Sequence, residues 1–426
     1  MSDPRKIAYD VLVRCASAEQ YSNIALDTAI KRAELTPPDR GLLTALVYGV
    51  IERQITLDAI IDSLTDWKSE DISPDVRTLL RLGLYQLAYL DRVPDHAAVN
   101  ETVNMAPKRS RGFVNAILRA FIRSKKEIPI PPKEADAIGY LSVKYSFCQA
   151  LCRTFVERFG LERTEELFAA FGEQPDLTLR TNTLRISREE LIAKIGEQGI
   201  RALPTKESEV GIRVCDKSPV AELYGFGEGL FFVQDEASQL CVKALDAKEG
   251  MRVLDACACP GSKSFGAAID MNNAGEVISC DLHRNKLSLV ESGAARLGIS
   301  ILTTEERDAR HTKEVWLGTF DRVLCDVPCS GFGVFAKKPE LRYKDPAASA
   351  ALPDIQLAIL KNASAYLKVG GKLVYSTCTL LPEENEENVS RFLAESNDFE
   401  RKEQRTLYPD INGTDGFFYA IFERVR

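Results

Sequence analysis

Histidine, tryptophan and methionine are scarce in this chain, with three, two and four residues among 426. His96, His283 and His311 have no Cys-x-x-Cys pair near them, and no zinc spacing occurs. Cys257 and Cys259 are separated by one residue and Cys325 and Cys329 by three, which matches neither a zinc knuckle nor a thioredoxin motif. No metal site is expected. No run approaches the roughly 18 apolar residues of a membrane span, so no membrane association is expected. The start, MSDPRKIAYDVL, lacks the basic-then-apolar pattern of a signal peptide, and a cytoplasmic location follows as the expectation. An odd number of cysteines, eleven, in a long chain without an export signal argues against a disulfide framework. Internal repeats and low-complexity segments are also missing.

What is present is an ordinary globular composition, 45% hydrophobic and 27% charged, in a chain long enough for two or three domains. The net charge of −7 speaks against nucleic acid, but totals hide local asymmetry. From Lys108 to Lys126 the sequence KRSRGFVNAILRAFIRSKK carries seven cations and no acid. Its apolar residues recur at helical spacing, so it reads equally as the solvated face of an amphipathic helix or as a patch facing phosphates.

Residues 1–125 read as helix after helix, about six in all. Apolar positions recur three and four apart in LLTALVYGVI, LDAIIDSL and RTLLRLGLYQLAYL, and prolines mark the boundaries. Residues 126–140 hold Pro129, Pro131 and Pro132 and form an extended linker. Residues 141–230 mix helix and strand and suggest a small α+β module. From 231 to 426 short apolar runs alternate with helical sequence: MRVLDAC, EVISCDL, ILTTEERD, FDRVLCDV and KLVYSTC. That alternation predicts a doubly wound, mostly parallel sheet with ligands at the carboxyl ends of its strands.

In VLDACACPGSKSFGAA a strand ends at Asp255, a Pro260-Gly261 turn follows, and a helix begins near Ser264. A glycine lets backbone approach a ligand, and a helix start offers unpaired N–H groups. Asp281 ends the next strand, at the place where nucleotide folds put an acid on ribose hydroxyls. Asp308 and Asp326 end the third and fourth. Such an acidic lining suits a cationic cofactor with ribose and amino groups, such as S-adenosylmethionine, better than an anionic dinucleotide. Cys329 lies just past the fourth strand and Cys378 at the end of the fifth. A lone cysteine is usually core, but two at adjoining strand ends suggest a site.

The stretches DACACPGSK, DVPCSGFGVFAKKPELRY and YSTCTLLPEENE, with FVQDEASQL and LRTNTLR, resemble the RNA 5-methylcytosine methyltransferases of the Nop2/Sun type. The helical part, with YSNIALD, LVYGVIER, LLRLGLYQLAYLDRVPDHAAVNETV and GFVNAILR, is similar to the NusB-like domain found in that family. The resemblance covers nearly the whole chain. It implies an all-α NusB-like RNA-binding domain, a small RRM-like α+β module that binds RNA, and a Rossmann-like methyltransferase domain dependent on S-adenosylmethionine. It implies as substrate a cytidine of 16S ribosomal RNA or a small-subunit assembly intermediate, acted on by a monomer. By the same resemblance Cys378 is the nucleophile and Cys329 assists product release, whereas cytosine-5 DNA methyltransferases use the cysteine of the Pro-Cys motif as nucleophile. Asp326 is assigned to the cytosine or the cofactor, and Lys263 to activation of the base. Cofactor contacts fall on Cys257, Ala258, Cys259, Pro260, Gly261, Ser262, Lys263, Asp281, Asp308 and Asp326.

The chain departs from the family pattern in three places. PGSK stands for PGGK, SGFG for SGTG, and YSTCT for YSTCS, at Ser262, Phe332 and Thr379. The region from Tyr145 to Cys152 also lacks the family's Pro-x-Trp. Two rival readings are a non-catalytic assembly factor on the same fold and an exocyclic N-methyltransferase. The second would carry Asn/Asp-Pro-Pro-aromatic where this chain has Asp-Val-Pro-Cys.

Overall fold

The computed structural model describes residues 3–18, 22–66, 71–173 and 175–426. Tyr21, which opens YSNIALD, lies outside the described residues. The chain forms two compact units, Met1–Gly172 with Lys337–Pro346, and Glu173–Ala336 with Ala347–Arg426.

The first unit is helical: α1 (Pro4–Ala18), α2 (Ser22–Arg32), α3 (Pro37–Glu52), α4 (Gln54–Ser63), α5 (Pro74–Tyr89), α6 (Asp95–Met105), α7 (Arg111–Arg123), α8 (Ala137–Tyr145), α9 (Gln149–Phe159) and α10 (Leu161–Ala170). Periodicity suggests about six helices over residues 1–125, whereas seven occur among the described residues. The sequence of α6, DHAAVNETVNM, buries only Ala98, Val99 and Thr102 and so carries little apolar rhythm. Leu43, Leu79, Leu80, Leu118 and Phe121 share one core, each contributing about 1.5–3 kcal/mol by burial. On α7 the apolar side, Val114, Ile117, Leu118 and Phe121, is buried. Lys108, Arg109, Arg119, Arg123 and Lys125 are exposed. Lys126 pairs with Asp95 at 2.7 Å, and Arg111 donates to the carbonyls of Asn104 and Ala106.

Residues Lys337–Pro346 follow the Cys329 loop in sequence yet belong to this helical unit. Arg342 is fully buried there, donates to the carbonyls of Tyr145 and Phe171, and stacks on Phe147 at 4.6 Å. The PELRY end of a single sequence motif therefore sits with the helices.

The second unit holds two sheets. In the small one β1 (Leu177–Thr181), β2 (Ala202–Pro204), β3 (Gly211–Val214) and β4 (Phe231–Val233) run in the order β2-β3-β1-β4. All of these pairs are antiparallel, and α11 (Arg188–Glu197) crosses from β1 to β2. This is a split βαβ, ferredoxin-like arrangement whose second crossover is reduced to one turn at Val220–Glu222. Ser187 caps α11 by accepting the Glu190 N–H.

The large sheet contains β5 (Arg252–Asp255), β6 (Glu276–Asp281), β7 (Leu302–Glu306), β8 (Phe320–Asp326), β9 (Leu367–Thr377), β10 (Phe399–Leu407) and β11 (Phe417–Arg424). Their order is β10-β11-β9-β8-β5-β6-β7, with β5 to β9 parallel and β10 and β11 antiparallel. The five runs named from sequence are the five parallel strands. Helices α12 (Glu236–Leu245), α13 (Ser262–Asp270), α14 (Arg284–Leu297), α15 (Leu352–Ser364), α16 (Glu386–Glu395) and α17 (Pro409–Asn412) complete the unit. From β5 the chain winds outward to β6 and β7, then returns to β8 on the other side. The crevice between β5 and β8 is thus a topological switch point, where open α/β sheets bind ligands.

Gly49 of α3 sits under the Tyr85 ring, and a Cβ there would lie 1.9 Å from its Cζ. Gly49→Ala should destabilise the protein by about 1–3 kcal/mol, the scale of core overpacking, read as a lowered thermal midpoint.

Candidate active site

Four strand ends meet at the crevice. The chain leaves β5 at Asp255 and turns through residues 256–261, where the Ala258 N–H donates to the Cys280 carbonyl at 2.7 Å and the Gly261 N–H to the Ala258 carbonyl at 2.6 Å. Gly261 has φ +108, and a Cβ on it would lie 2.6 Å from the Phe265 ring, so glycine is required twice over. Helix α13 begins at Ser262, two residues earlier than the sequence suggests, which places Lys263 in its first turn. Gln234, just past β4, donates to the Ser262 carbonyl at 3.1 Å and holds this turn from below.

Lys263 is 8% exposed and lies 2.6 Å from Asp326 Oδ2 at the end of β8. Burial, the largest influence, opposes its charge, yet the Asp326 carboxylate together with Cys241 and Cys378 holds the ammonium above its ordinary range. Ser376 of β9 donates to the other oxygen of Asp326 at 2.8 Å. The Phe417 ring of β11 lies 5.2 Å from the Lys263 nitrogen.

Two thiols stand beside this pair. Cys329 Sγ and Cys378 Sγ are 3.1 Å apart, and the Cys378 N–H points at Cys329 Sγ from 3.3 Å. The hydrogen bond with Cys378, then burial, push the Cys329 thiol well above its ordinary value. The Ser330 and Thr379 hydroxyls, each one residue past a thiol, meet at 2.8 Å and fix the two loops to each other. The carboxylates of PEENEEN divide between two roles. Glu386 and Glu387 stand in the first turn of α16, while Glu384 is 2% exposed and accepts from the Ser330 N–H and Gln356. Glu384 thus lies against the Cys329 loop, ahead of α16 in the chain.

The acids at the strand ends are not equivalent. Asp281 accepts from the His283 N–H at 2.9 Å and is hydrogen-bonded by the Cys259 thiol. Asp308 is bound at both oxygens by Arg310, which holds its carboxyl down at about 2. Asp255 is 1% exposed, accepts from Ser264 at 2.6 Å, and leaves Oδ1 without a partner among the described residues. Burial raises its carboxyl to about 7. Burial, then the charge of Asp281, pushes Cys259 up to about 12. Burial, then Cys325, likewise raises Cys257. Phe332 is fully buried and stacks on Phe335 with ring centres 5.7 Å apart.

The structure therefore brings Cys329, Cys378, Lys263 and Asp326 together and places the 257–263 turn, Asp281 and Asp308 along the same edge. Sequence reasoning does not single out Ser376, Gln234, Gln356 or Glu384. Ser376 had a signal, since it lies two residues before Cys378 on the same strand and its partner Asp326 ends the neighbouring one.

A mostly parallel sheet with its chemistry gathered at the switch point, a glycine turn leading into a helix, and acids at the strand ends define a Rossmann-like methyltransferase. The chain belongs to the ribosomal RNA small subunit methyltransferase B family. The probable ribosomal RNA small subunit methyltransferase B of Bacillus subtilis is 37% identical over 99% of this chain and 98% of its own. The family described as 16S rRNA methyltransferase RsmB/F matches residues 242–423, the NusB family residues 2–123, and the RsmF/B-like ferredoxin-like domain residues 149–221. Among solved structures, that of PH0851 shares the fold at TM-score 0.83 and 24% identity, covering 100% of this chain and 99% of that one. NSun6 from Pyrococcus horikoshii, solved with SFG, gives a TM-score of 0.61 at 23% identity over 66% of this chain and 99% of its own. No helix among the described residues is long and apolar enough to cross a membrane.

Because its folded value is raised, Asp255 favours the fold when protonated. Its contribution is full below its unfolded value near 3.8 and declines as pH rises to about 7. Asp255→Asn, neutral throughout, should gain stability relative to the wild type across that window. Denaturant midpoints from pH 4 to 8 would read this, and parallel curves would refute it.

Proposed function

We propose that this protein transfers the methyl group of S-adenosylmethionine to carbon 5 of a cytidine in 16S ribosomal RNA, through a covalent bond between Cys378 and the base. The observation that carries this reading is the pair of thiols 3.1 Å apart beside the Lys263–Asp326 pair. An exocyclic amine can attack a methyl sulfonium without covalent activation by a thiol. Carbon 5 of cytosine is too weak a nucleophile until a thiolate adds to carbon 6 and turns the ring into an enamine.

The residues present fit the cofactor. The 257–263 turn offers backbone close to a helix start, and the Asp281 carboxylate at the end of β6 has acceptor capacity beyond the His283 N–H. These groups, with Asp308 and Asp326, would hold it. Asp308 would have to share its carboxylate with Arg310. When bound, S-adenosylmethionine supplies the methyl group. The relative crystallised with SFG, an analogue of that cofactor, supports the choice, and the naming of the relatives supports a small-subunit ribosomal RNA as substrate.

Cys378 Sγ forms the bond to carbon 6. Electron density then moves into the ring, and Lys263, kept charged by Asp326, is the group on hand to stabilise it. After methylation a base takes the carbon 5 proton and the thiolate is expelled. Cys329, kept as a thiol, assists that release. The NusB-like helices and the ferredoxin-like module hold the RNA, with the exposed cations around α7 contributing to phosphate contact. We infer that the protein acts as a monomer in the cytoplasm.

Cys378→Ala should lose methyl transfer by on the order of 10⁴-fold or more, as removal of a nucleophile does, and should form no denaturant-stable complex with 5-fluorocytidine RNA. Cys329→Ala should still capture RNA and accumulate the complex even on unmodified cytidine. Tritium transfer and denaturing gels read both. Full transfer by the Cys378 variant would sink the proposal, as would persistence of every cytidine methylation in ribosomal RNA from a strain lacking the protein.

A further inference from the structure

The two thiols are chemically alike and in contact, so something must assign their roles. The backbone on either side of Cys329 is held by one buried polar unit. The Ser330 N–H, after it, donates to Glu384 Oε2 at 2.9 Å. The Pro328 carbonyl, before it, accepts from Gln356 Nε2 at 3.0 Å, and the same nitrogen donates to Glu384 Oε2 at 2.7 Å. Gln356 is fully buried, and the Tyr375 hydroxyl ties the Glu384 carbonyl at 2.5 Å. One carboxylate oxygen accepts both hydrogen bonds of this clamp. The other, Oε1, is buried without a partner among the described residues. A glutamine would make the same two hydrogen bonds without bringing a charge into the interior, so the clamp alone does not explain a carboxylate.

Charge does explain it. Cys329 faces Cys378 from the end of β9, Tyr375 from within β9, and Glu384 from the turn before α16. Lys263 interacts with Cys378 and is paired with Asp326, while the Glu384 carboxylate is hydrogen-bonded to the backbone N–H that follows Cys329.

We propose that Glu384 is the positioning residue that divides the labour between the two thiols, clamping the Cys329 loop and setting a negative charge on the Cys329 side. Cys378 is then the member free to ionise, and Cys329 stays protonated to serve release. This rests on the reading of Cys378 as nucleophile. The charge of Glu384 adds to the hydrogen bond and burial that already raise Cys329.

The test is the initial rate of iodoacetamide alkylation at each cysteine against pH, resolved by mass spectrometry of the full-length protein. In the wild type Cys378 should react at least about tenfold faster than Cys329, as one unit of separation gives. Glu384→Gln keeps the clamp and removes the charge. It should raise the Cys329 rate about tenfold at fixed pH and move its midpoint down. Gln356→Leu loosens the clamp and leaves the charge, and should not lower that midpoint. A wild-type preference for Cys329, an unmoved midpoint in Glu384→Gln, or an equal shift in Gln356→Leu would each overturn the proposal. None of these readouts involves RNA, so methyl transfer by Cys378→Ala would refute the underlying reading separately.

Discussion

The contact on which the site depends is the 2.6 Å pair between Lys263 and Asp326. A lysine buried to this degree is unfavourable unless its partner is in place, and losing one member of such a pair costs about 3–5 kcal/mol. Lys263 comes from the first turn of α13 and Asp326 from the end of β8, 63 residues apart in sequence. They meet only because β8 returns beside β5 at the switch point. Ser376 brings in β9 through the second oxygen of Asp326, and Phe417 brings in β11 through the face of its ring. Four elements must be in register before the charge is paired. The same register sets Cys378, two residues beyond Ser376, against Cys329.

Negative charge around a thiol normally suppresses its reactivity, which makes the acidic run after Cys378 a puzzle. Its acids act in different places. Glu386 and Glu387 lie in the first turn of α16, where the helix dipole favours them. Glu384 is the most deeply buried of these acids, 2% exposed, and its carboxylate holds the backbone next to Cys329. The ammonium of the site is thus paired with Asp326 at the end of β8, while the buried Glu384 carboxylate holds the loop that carries Cys329.

The central parallel strands β5, β6, β8 and β9 were legible in the sequence because they are largely buried and read as short apolar runs ending in an acid or a thiol, whereas β7 at the edge holds no buried residue and was legible by its place in the alternation. The candidate residues at those ends were legible for the same reason, since the fold presents chemistry there. The antiparallel pair was not. β10, FERKEQRTL, is an exposed edge strand, and its charges discourage edge-to-edge pairing while hiding the strand from a hydrophobicity reading. Nor could the sequence place Lys337–Pro346, because nothing in KKPELRYKDP tells that Arg342 becomes fully buried among helices from the other end of the chain. Glu384 was hidden by its neighbours. In a row of acids, pattern alone does not reveal which one turns inward, and only its contacts to Ser330 and Gln356 single it out.

Those contacts also explain why the departures from the family pattern leave the site intact. Ser262 begins α13 with its carbonyl held by Gln234, and the sharp turn before it is made by Gly261. Phe332 turns into the core and stacks on Phe335, a contact worth about 0.5–1.5 kcal/mol beyond burial. The residue after it has no such latitude. A Cβ on Gly333 would lie 2.0 Å from the Gly416 carbonyl oxygen and 2.9 Å from that of Cys378. The Cys329 loop thus tolerates a large side chain where it faces the interior and requires glycine where its backbone passes Gly416 and the Cys378 carbonyl. Its geometry is set by backbone packing and by the clamp around Cys329, so the size of the residue at 332 can change while the two sulfurs stay in contact.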